Sequence, residues 1–233
     1  MRRIKYLKAE VGINWSEVKG RFFEFLYNDE KGVGFEVQEY SGRELTAWYF
    51  ERFFSEEVVL NYFGKEETIK AVRFVKFEFD VRCVSNGLFI ISVVNPPRSL
   101  RNFVEFLRKV LGDIFSISEI RLDAVDYLFK LETSNDFVIV GVDRVSAKDV
   151  VVSSCSKAEI QVSSSKDAYR DVVDFLKDKY FQIKSIKVSV LCDGRKGTVE
   201  IVSSGMIVST ESTFNPVSVF SNNMVERAVL ENF

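Results

Sequence analysis

Residues 91–117, ISVVNPPRSLRNFVEFLRKVLGDIFSI, carry a pattern that returns 69 positions later in residues 160–186, IQVSSSKDAYRDVVDFLKDKYFQIKSI. Aligned without a gap, the two stretches share nine identical residues over 27 positions. Most identities are apolar residues that any strand–helix–strand unit requires, whereas Arg101 and Arg170 are not required by that pattern. The repeat therefore predicts an internal duplication, in which each copy forms a strand, a helix and a second strand.

Each copy has signals for a helix. In the first copy Asn95 is placed as an N-cap, the two prolines after it stand where a missing N–H costs nothing, and Gly112 is typical of a helix end. In the second copy any of the serines 163–165 could act as the cap. The predicted buried stripes are Leu100, Phe103, Val104, Leu107, Val110 and Leu111 in the first copy, and Tyr169, Val172, Val173, Leu176 and Tyr180 in the second.

Helices with one apolar stripe need a surface that covers it, so we expect both copies to lie on antiparallel sheet. The sequence predicts an α+β fold, mainly antiparallel, with two related strand–helix–strand units preceded by an N-terminal β-meander. The predicted division is 1–66 for the meander, 67–146 for the first α+β half and 147–233 for the second half with the C-terminal tail. One compact domain containing all three is the alternative. The serine-rich residues 144–158 are predicted to cross between the halves.

Alternation and turn chemistry predict the strands of the N-terminal part. Residues 21–27 and 34–40 are predicted to form a hairpin around the turn at 28–32. Residues 43–54 are predicted to begin as a strand, and their second half fits both a strand and a helix. Residues 75–83 alternate between apolar and charged side chains, which indicates a strand with one buried face.

Turn chemistry also predicts two tight hairpins further along the chain. Asn86-Gly87 favours a two-residue turn into a strand at 88–94, and Asp193-Gly194 favours another near the C-terminus. The remaining predicted strands are 118–124, 125–132, 137–145, 186–192, 198–204 and 206–210. A short helix is predicted from Asn222, in a tail that ends at Phe233.

Composition restricts the class of protein. Hydrophobic residues make up 46% and charged residues 28% of the chain, which is ordinary for a globular protein. A net charge of −2 argues against a surface that binds phosphate everywhere. No apolar run is long enough to cross a bilayer and no cleavable leader is recognisable, so a cytoplasmic address is expected. The 22 phenylalanines indicate either a wide aromatic core or a permanent interface.

The chain has no histidine, which excludes Ser-His-Asp and Cys-His nucleophiles and the usual ligands of catalytic zinc. Neither a phosphate-binding P-loop nor a dinucleotide-binding glycine motif is present. Carboxylates could hold Mg²⁺ or Mn²⁺, and the candidate pairs are Asp123 with Asp126 and Glu78 with Asp80. Charged residues on the wet face of a strand are also expected without any function. We therefore assign no catalytic residue, no metal ligand and no cofactor.

The three cysteines, Cys83, Cys155 and Cys192, are odd in number and far apart, which favours reduced thiols over a disulfide or zinc framework. Cys192 precedes a turn, so it is expected to be the most exposed of them. Without a neighbouring base it is not assigned as a nucleophile.

Anion binding at helix N-termini is a second possibility, because free N–H groups and the helix dipole attract phosphate there. Arg98 and Arg101 are placed at the start of the first predicted helix, and Lys166 and Arg170 at the start of the second. Further cations that could form a rim are Arg108, Lys109, Lys177 and Lys179. An arginine on the wet face of a helix is also common without any ligand.

The function predicted from these observations is a non-catalytic binding or assembly subunit of a cytoplasmic protein complex, either self-associating or bound to a partner protein. It would present a sheet face, a sheet edge or the C-terminal tail. The alternative is a nucleic-acid-binding subunit that contacts phosphates through its cationic helix starts. A carboxylate-site enzyme dependent on Mg²⁺ or Mn²⁺ is the third reading.

Overall fold

The computed structural model describes residues 1–231. Phe233, where the predicted tail ends, lies outside the described residues. Within residues 1–231 the fold is α+β, as predicted, with five α-helices and eleven strands that build antiparallel sheet.

The strands are β1 (Arg2–Val11), β2 (Val33–Ser41), β3 (Glu44–Leu60), β4 (Glu66–Ser85), β5 (Leu88–Val94), β6 (Phe115–Glu119), β7 (Val138–Ser153), β8 (Ser156–Ser163), β9 (Gln182–Cys192), β10 (Arg195–Val202) and β11 (Met206–Ser209). The helices are α1 (Trp15–Glu24), α2 (Arg101–Leu111), α3 (Ala124–Thr133), α4 (Ala168–Phe175) and α5 (Phe214–Glu231), with a 3-10 turn at Glu211–Thr213.

Two compact units can be distinguished. Unit 1 is Met1–Lys8 together with the chain from Ser118 onward, and unit 2 is Ala9–Ile117. The sequence predicts another division, into 1–66, 67–146 and 147–233. That division concerns parts of the chain that fold separately, and it stays a prediction.

The core of unit 2 is aromatic. Its strands run in the order β2, β3, β4, β5, and α1 and α2 cover one face of this sheet. From α2, Phe103 places its ring 5.2 Å from that of Tyr49, 5.1 Å from Phe77 and 5.0 Å from Phe79. From α1, Phe22 packs on Phe79 at 5.9 Å. Many of the phenylalanines therefore fill a sheet core, one of the two roles expected from the composition.

The predicted strand at 21–27 is wrong, because residues up to Glu24 belong to α1. The Asn14 side chain accepts a hydrogen bond from the Glu17 N–H at 3.0 Å, and the Glu17 carboxylate accepts one from the Asn14 N–H at 3.1 Å. This capping box satisfies N–H groups that a helix start leaves unpaired. Val18 and Phe22, four residues apart, are buried on one face. The predicted hairpin is absent, and β2 pairs with β3 instead.

Helix α2 keeps its predicted stripe and end but not its predicted start. Phe103, Leu107 and two further residues of the stripe are buried, and Gly112 ends the helix with φ +96°. The helix begins at Arg101, and the residue in the N-cap position makes no side-chain cap hydrogen bond. Asn95 is no cap, since it adopts a left-handed conformation with φ +48° before the helix. Arg98 therefore lies outside α2.

In unit 1 the strands run in the order β11, β10, β9, β7, β8, and Arg2 of β1 pairs with Ser209 of β11. Residues 144–158, predicted to cross between halves, form the hairpin of β7 and β8. Helices α3 and α5 are joined by a buried hydrogen bond of 2.6 Å between the hydroxyls of Tyr127 and Ser221. Helix α5 begins well before the predicted start at Asn222.

The strands predicted at 118–124 and 125–132 are wrong over most of their length, because β6 ends at Glu119 and α3 follows it. The Asp123 carboxylate accepts hydrogen bonds from the Val125 and Asp126 N–H groups at 2.9 and 3.1 Å, which makes it the N-cap. Tyr127 and Leu131, one turn apart, are buried on the same face of the helix.

Helix α4 is capped by Asp167 rather than by a serine, and it ends at Phe175. Of its predicted stripe, Val172 and Leu176 are buried, but Val173 and Tyr180 are 38% and 61% exposed. Both repeat stretches do form strand, helix and strand, as β5–α2–β6 and β8–α4–β9. The internal duplication itself stays a prediction.

The predicted tight hairpins are confirmed. Ser85 pairs with Leu88 across the first turn, whose Gly87 has φ +77°. Cys192 pairs with Arg195 across the second, whose Gly194 has φ +73°. A glycine at the second position of each turn adopts its positive φ without strain.

Candidate interaction surface

Strands β3 and β4 continue beyond the sheet of unit 2 as a two-stranded arm. Strand β2 pairs with β3 as far as Glu51, and β5 pairs with β4 from Phe79. Between these points β3 and β4 pair with each other, from Arg52↔Phe74 to Leu60↔Glu66. At about 3.3 Å per residue these pairs make a ribbon about 30 Å long. We refer to residues 52–74 as the arm.

The arm exposes large apolar side chains. Residues 50–76, all of which the structure describes, include no buried residue. Residues paired across two strands share a face of the ribbon. One face, which we call the apolar face, carries Phe54 (72% exposed), Phe74 (64%), Val72 (50%), Val58 (64%) and Leu60 (71%). At the tip, Tyr62 and Phe63 are 97% and 81% exposed.

The apolar face lies on the side of the ribbon opposite to the helices of unit 2. Tyr49 points toward α2, where it packs on Phe103. Side chains alternate along a strand, so the even-numbered residues of β3 point the other way. Trp48 and Phe50 continue the apolar face toward the body of unit 2, and the Lys76 ammonium lies 4.4 and 4.7 Å from their ring centroids. Neither helix of unit 2 therefore covers this face.

Charges are distributed unevenly along the apolar face. At its middle, the Lys70 Nζ lies 3.2 Å from the Glu56 carboxylate. Toward the body, the Arg52 guanidinium lies 5.6 Å from the Phe54 ring centroid and donates to the Asp29 carbonyl. Toward the tip, Glu66 pairs with Leu60 in the register and forms no ion pair within residues 1–231. The apolar face is thus basic at its base, neutral at its middle and acidic near its tip.

An isolated two-stranded hairpin is marginally stable in water, and monomeric proteins seldom expose apolar patches larger than a few hundred Å². The five side chains of the apolar face together expose on the order of 500 Å². Such a patch on a projecting ribbon suits binding to another protein surface, where aromatic side chains contribute most.

The arginines predicted to bind phosphate in the first copy are in unit 2. Arg98 is exposed and precedes α2, and Arg101 occupies the first position of the helix. The Arg101 Nε donates to the Glu105 carboxylate at 2.9 Å, and both side chains are largely exposed. Arg101 is therefore already engaged in an i,i+4 pair of the kind common on helix surfaces.

The predicted cations of the second copy, Lys166 and Arg170, are exposed and belong to unit 1. The Asp167 carboxylate accepts hydrogen bonds of 3.1 Å from the Tyr169 and Arg170 N–H groups. The protein's own carboxylate thus occupies the position where a phosphate would bind to α4. The proposed rim residues Arg108, Lys109, Lys177 and Lys179 are all exposed.

The four carboxylates considered for a metal, Asp123, Asp126, Glu78 and Asp80, all have interactions within the protein. Asp123 caps α3, and the Asp126 carboxylate lies 2.9 Å from the Lys130 Nζ. The two Asp80 oxygens accept from Thr46 at 2.7 Å and from Ser92 at 3.0 Å. Among residues 1–231 no group of three or more ligating side chains could hold a metal ion.

The cysteines differ from expectation in one respect. Cys192, expected to be the most exposed, is buried, and so is Cys83, whereas Cys155 in the turn between β7 and β8 is exposed. Burial raises the pKa of the Cys83 and Cys192 thiols.

Two open cavities lie in unit 1. The larger, about 520 Å³, is lined mainly by polar residues that include Arg121, Lys148 and Asp123. The smaller, about 380 Å³, shares Arg121 and is lined also by Val229 of α5. The cationic side chains of the larger cavity stand beside the carboxylates of Glu119 and Asp123, so it has no strong preference for one sign of charge.

The arm was not predictable from the second half of residues 43–54, whose apolar spacing fits both a strand and a helix. The available signal was Phe53 next to Phe54, since two adjacent large apolar residues point to opposite faces of a strand and cannot both be buried against one core.

No protein-family model matches the sequence, and no curated protein matches it. Among the described residues, none of the helices has the length and apolar character that crossing a membrane would require.

Proposed function

We propose that this protein is a non-catalytic binding and assembly subunit that engages another protein subunit through its arm. The single observation that carries the proposal is the apolar face, where five large side chains are each at least half exposed on a ribbon that neither α1 nor α2 covers. Covering this face would remove apolar area from water and would brace a ribbon that is otherwise supported at one end.

Two further parts of the proposal concern the compartment and the internal duplication. A cytoplasmic complex is consistent with free cysteines throughout the described chain. An internal duplication is supported by the order of elements, because both repeat stretches form strand, helix and strand, as β5–α2–β6 and β8–α4–β9.

Nucleic-acid binding stays as a second candidate, favoured by α2 alone. The N-terminus of this helix has no side-chain cap, and Arg98 precedes it. Replacing Arg98 and Arg101 with glutamate should then abolish a salt-sensitive binding to DNA or RNA. Unchanged binding at low salt would remove this candidate.

The assembly function can be tested by comparing the full-length protein with two variants expressed in the cells that make it. We expect Phe54→Asp to abolish co-purification with its protein partner, because a charge would replace one of the two large rings of the apolar face. The matched control is Phe175→Asp, since Phe175 on α4 is also 72% exposed but lies in unit 1. Equal recovery of the same partner by wild type and by Phe54→Asp would refute the proposal.

A further inference from the structure

We infer that the protein covering the apolar face is a second copy of this chain, packed face to face with the two arms antiparallel. This inference rests on the proposed function and names its partner. The argument comes from the order of side chains along the arm, from their charges and from the area available.

The cross-strand pairs form five successive rows on the apolar face. From base to tip they are Arg52 with Phe74, Phe54 with Val72, Glu56 with Lys70, Val58 with Thr68, and Leu60 with Glu66. The middle row is the Glu56–Lys70 ion pair. An aromatic row with a cation lies at one end, and an aliphatic row with a carboxylate lies at the other.

In this dimer the two-fold axis lies between the two apolar faces and runs along the middle row, from β3 to β4. The order of rows is then self-complementary. In the antiparallel arrangement the first row of one arm faces the fifth row of the other, so Arg52 meets the row that contains Glu66. The second row faces the fourth, which places Phe54 and Val72 against Val58. The middle row faces itself, so that each Glu56 lies over the Glu56 of the second copy and diagonally across from its Lys70, and the ion pair within each copy keeps this row neutral. Each contact occurs twice, as a two-fold interface requires.

A parallel arrangement has the opposite property. Each row would then face the same row of the second copy, with β3 over β4. The two Arg52 side chains would share the base row and the two Glu66 side chains would share a row near the tip, while Glu56 would face Lys70 in the neutral middle row. Like charges facing one another in an apolar interface oppose association. The charges of the two end rows, Arg52 and Glu66, therefore favour the antiparallel orientation.

The apolar face supplies a large part of the area that a standard interface buries. The five apolar side chains expose on the order of 500 Å² per copy, and the charged residues of the same rows add to it. A standard interface uses about 800 Å² per partner. The half-buried Trp48 and Phe50 extend the same face toward that value.

The oligomeric state of the full chain is the first test. Sedimentation velocity should show the mass rising from 26.8 kDa toward twice that value with concentration. Measurements should extend to about 200 µM, so that a dimer with a dissociation constant up to that value is detected. Phe54→Asp should weaken dimerisation by about a hundredfold or more, because the substitution is present twice in the dimer. Phe175→Asp should leave dimerisation unchanged.

The antiparallel register is tested by charge reversal. Arg52→Glu and Glu66→Arg should each weaken self-association by about tenfold, because each places like charges in facing rows. An equimolar mixture of the two variants should recover wild-type affinity, since both facing rows are then again complementary. Recovery in the mixture also shows that both variant chains are folded. In a parallel dimer neither single substitution would weaken association, and that result would overturn the register.

A chain that stays at 26.8 kDa at every concentration would overturn the inference of a second copy. The proposed function then depends separately on the co-purification experiment. If Phe54→Asp loses a different protein that Phe175→Asp retains, the arm is an assembly surface for that protein. If both variants behave as wild type in both experiments, the dimer and the proposed function fail together.

Discussion

The packing of α2 on the sheet of unit 2 predicts a large cost for Phe103→Ala. The Phe103 side chain is 1% exposed, and its ring has three aromatic neighbours with centroids 5.0 to 5.2 Å away. Truncating a buried phenylalanine to alanine costs about 3–5 kcal/mol, which combines lost burial with the cavity left behind. We expect the free energy of unfolding of unit 2 to fall by about 4 kcal/mol.

Urea denaturation monitored by tryptophan fluorescence measures this change in unit 2. The chain has two tryptophans, Trp15 and Trp48, and both belong to unit 2. With a dependence of about 2 kcal/mol per molar urea, the midpoint should fall by about 2 M. The measurement should be made at low protein concentration, so that self-association does not contribute to stability.

The matched control for this prediction is Phe54→Ala on the arm. Phe54 is 72% exposed, so the same truncation should change the free energy of unfolding by less than about 0.5 kcal/mol. A midpoint for Phe103→Ala within about 0.5 M of wild type would refute the placement of α2 on this sheet.

Three other predictions concern local features. Asn14→Ala removes the acceptor of the α1 capping box and should destabilise unit 2 by about 1 kcal/mol in the same urea assay, whereas Asn14→Asp should retain most of the stability. Burial raises the pKa of the Tyr49 and Tyr127 phenols above the ordinary value of about 10. The unfolded chain releases these protons near pH 10 and the folded chain retains them, so the free energy of unfolding should be unaffected below about pH 10 and should fall above it. Denaturation at a series of alkaline pH values measures this slope, and it should be shallower in Tyr127→Phe; an identical slope would contradict the assignment. One thiol per native chain, that of exposed Cys155, should react rapidly with a thiol reagent, and a rapid phase that survives Cys155→Ser would contradict the burial of the other two.

The predicted features that the structure confirms are those that depend on neighbouring residues. The turns at Asn86-Gly87 and Asp193-Gly194 were predictable because two residues that tolerate positive φ favour a tight hairpin. The strand at 75–83 was predictable because its alternation has a period of two. The end of α2 at Gly112 followed from the preference of helix ends for glycine.

The errors arose where two periods compete in a short apolar stretch. Residues 21–24 and 125–132 are rich in aromatic and branched residues and were assigned to strands, yet both belong to helices. In each case an N-terminal cap, Asn14 or Asp123, stabilises the helix because its side chain accepts a hydrogen bond from an N–H group of the first turn. Both caps can be read in the sequence, where Asn14 and Asp123 each precede a segment that can form a helix.

The candidate site required the tertiary structure. The sequence alone determined the α+β class, the tight hairpins and the absence of histidine chemistry, because these depend on composition and on local conformational preference. Strands β2 and β5 stop pairing with β3 and β4 at Glu51 and Phe79. These two end points determine which apolar residues of β3 and β4 lie beyond the sheet. The shared face of Phe54 and Val72 depends on a register between residues 18 positions apart. Such pairing is settled by the packing of the whole sheet, so only the tertiary structure decided that these side chains form one exposed surface.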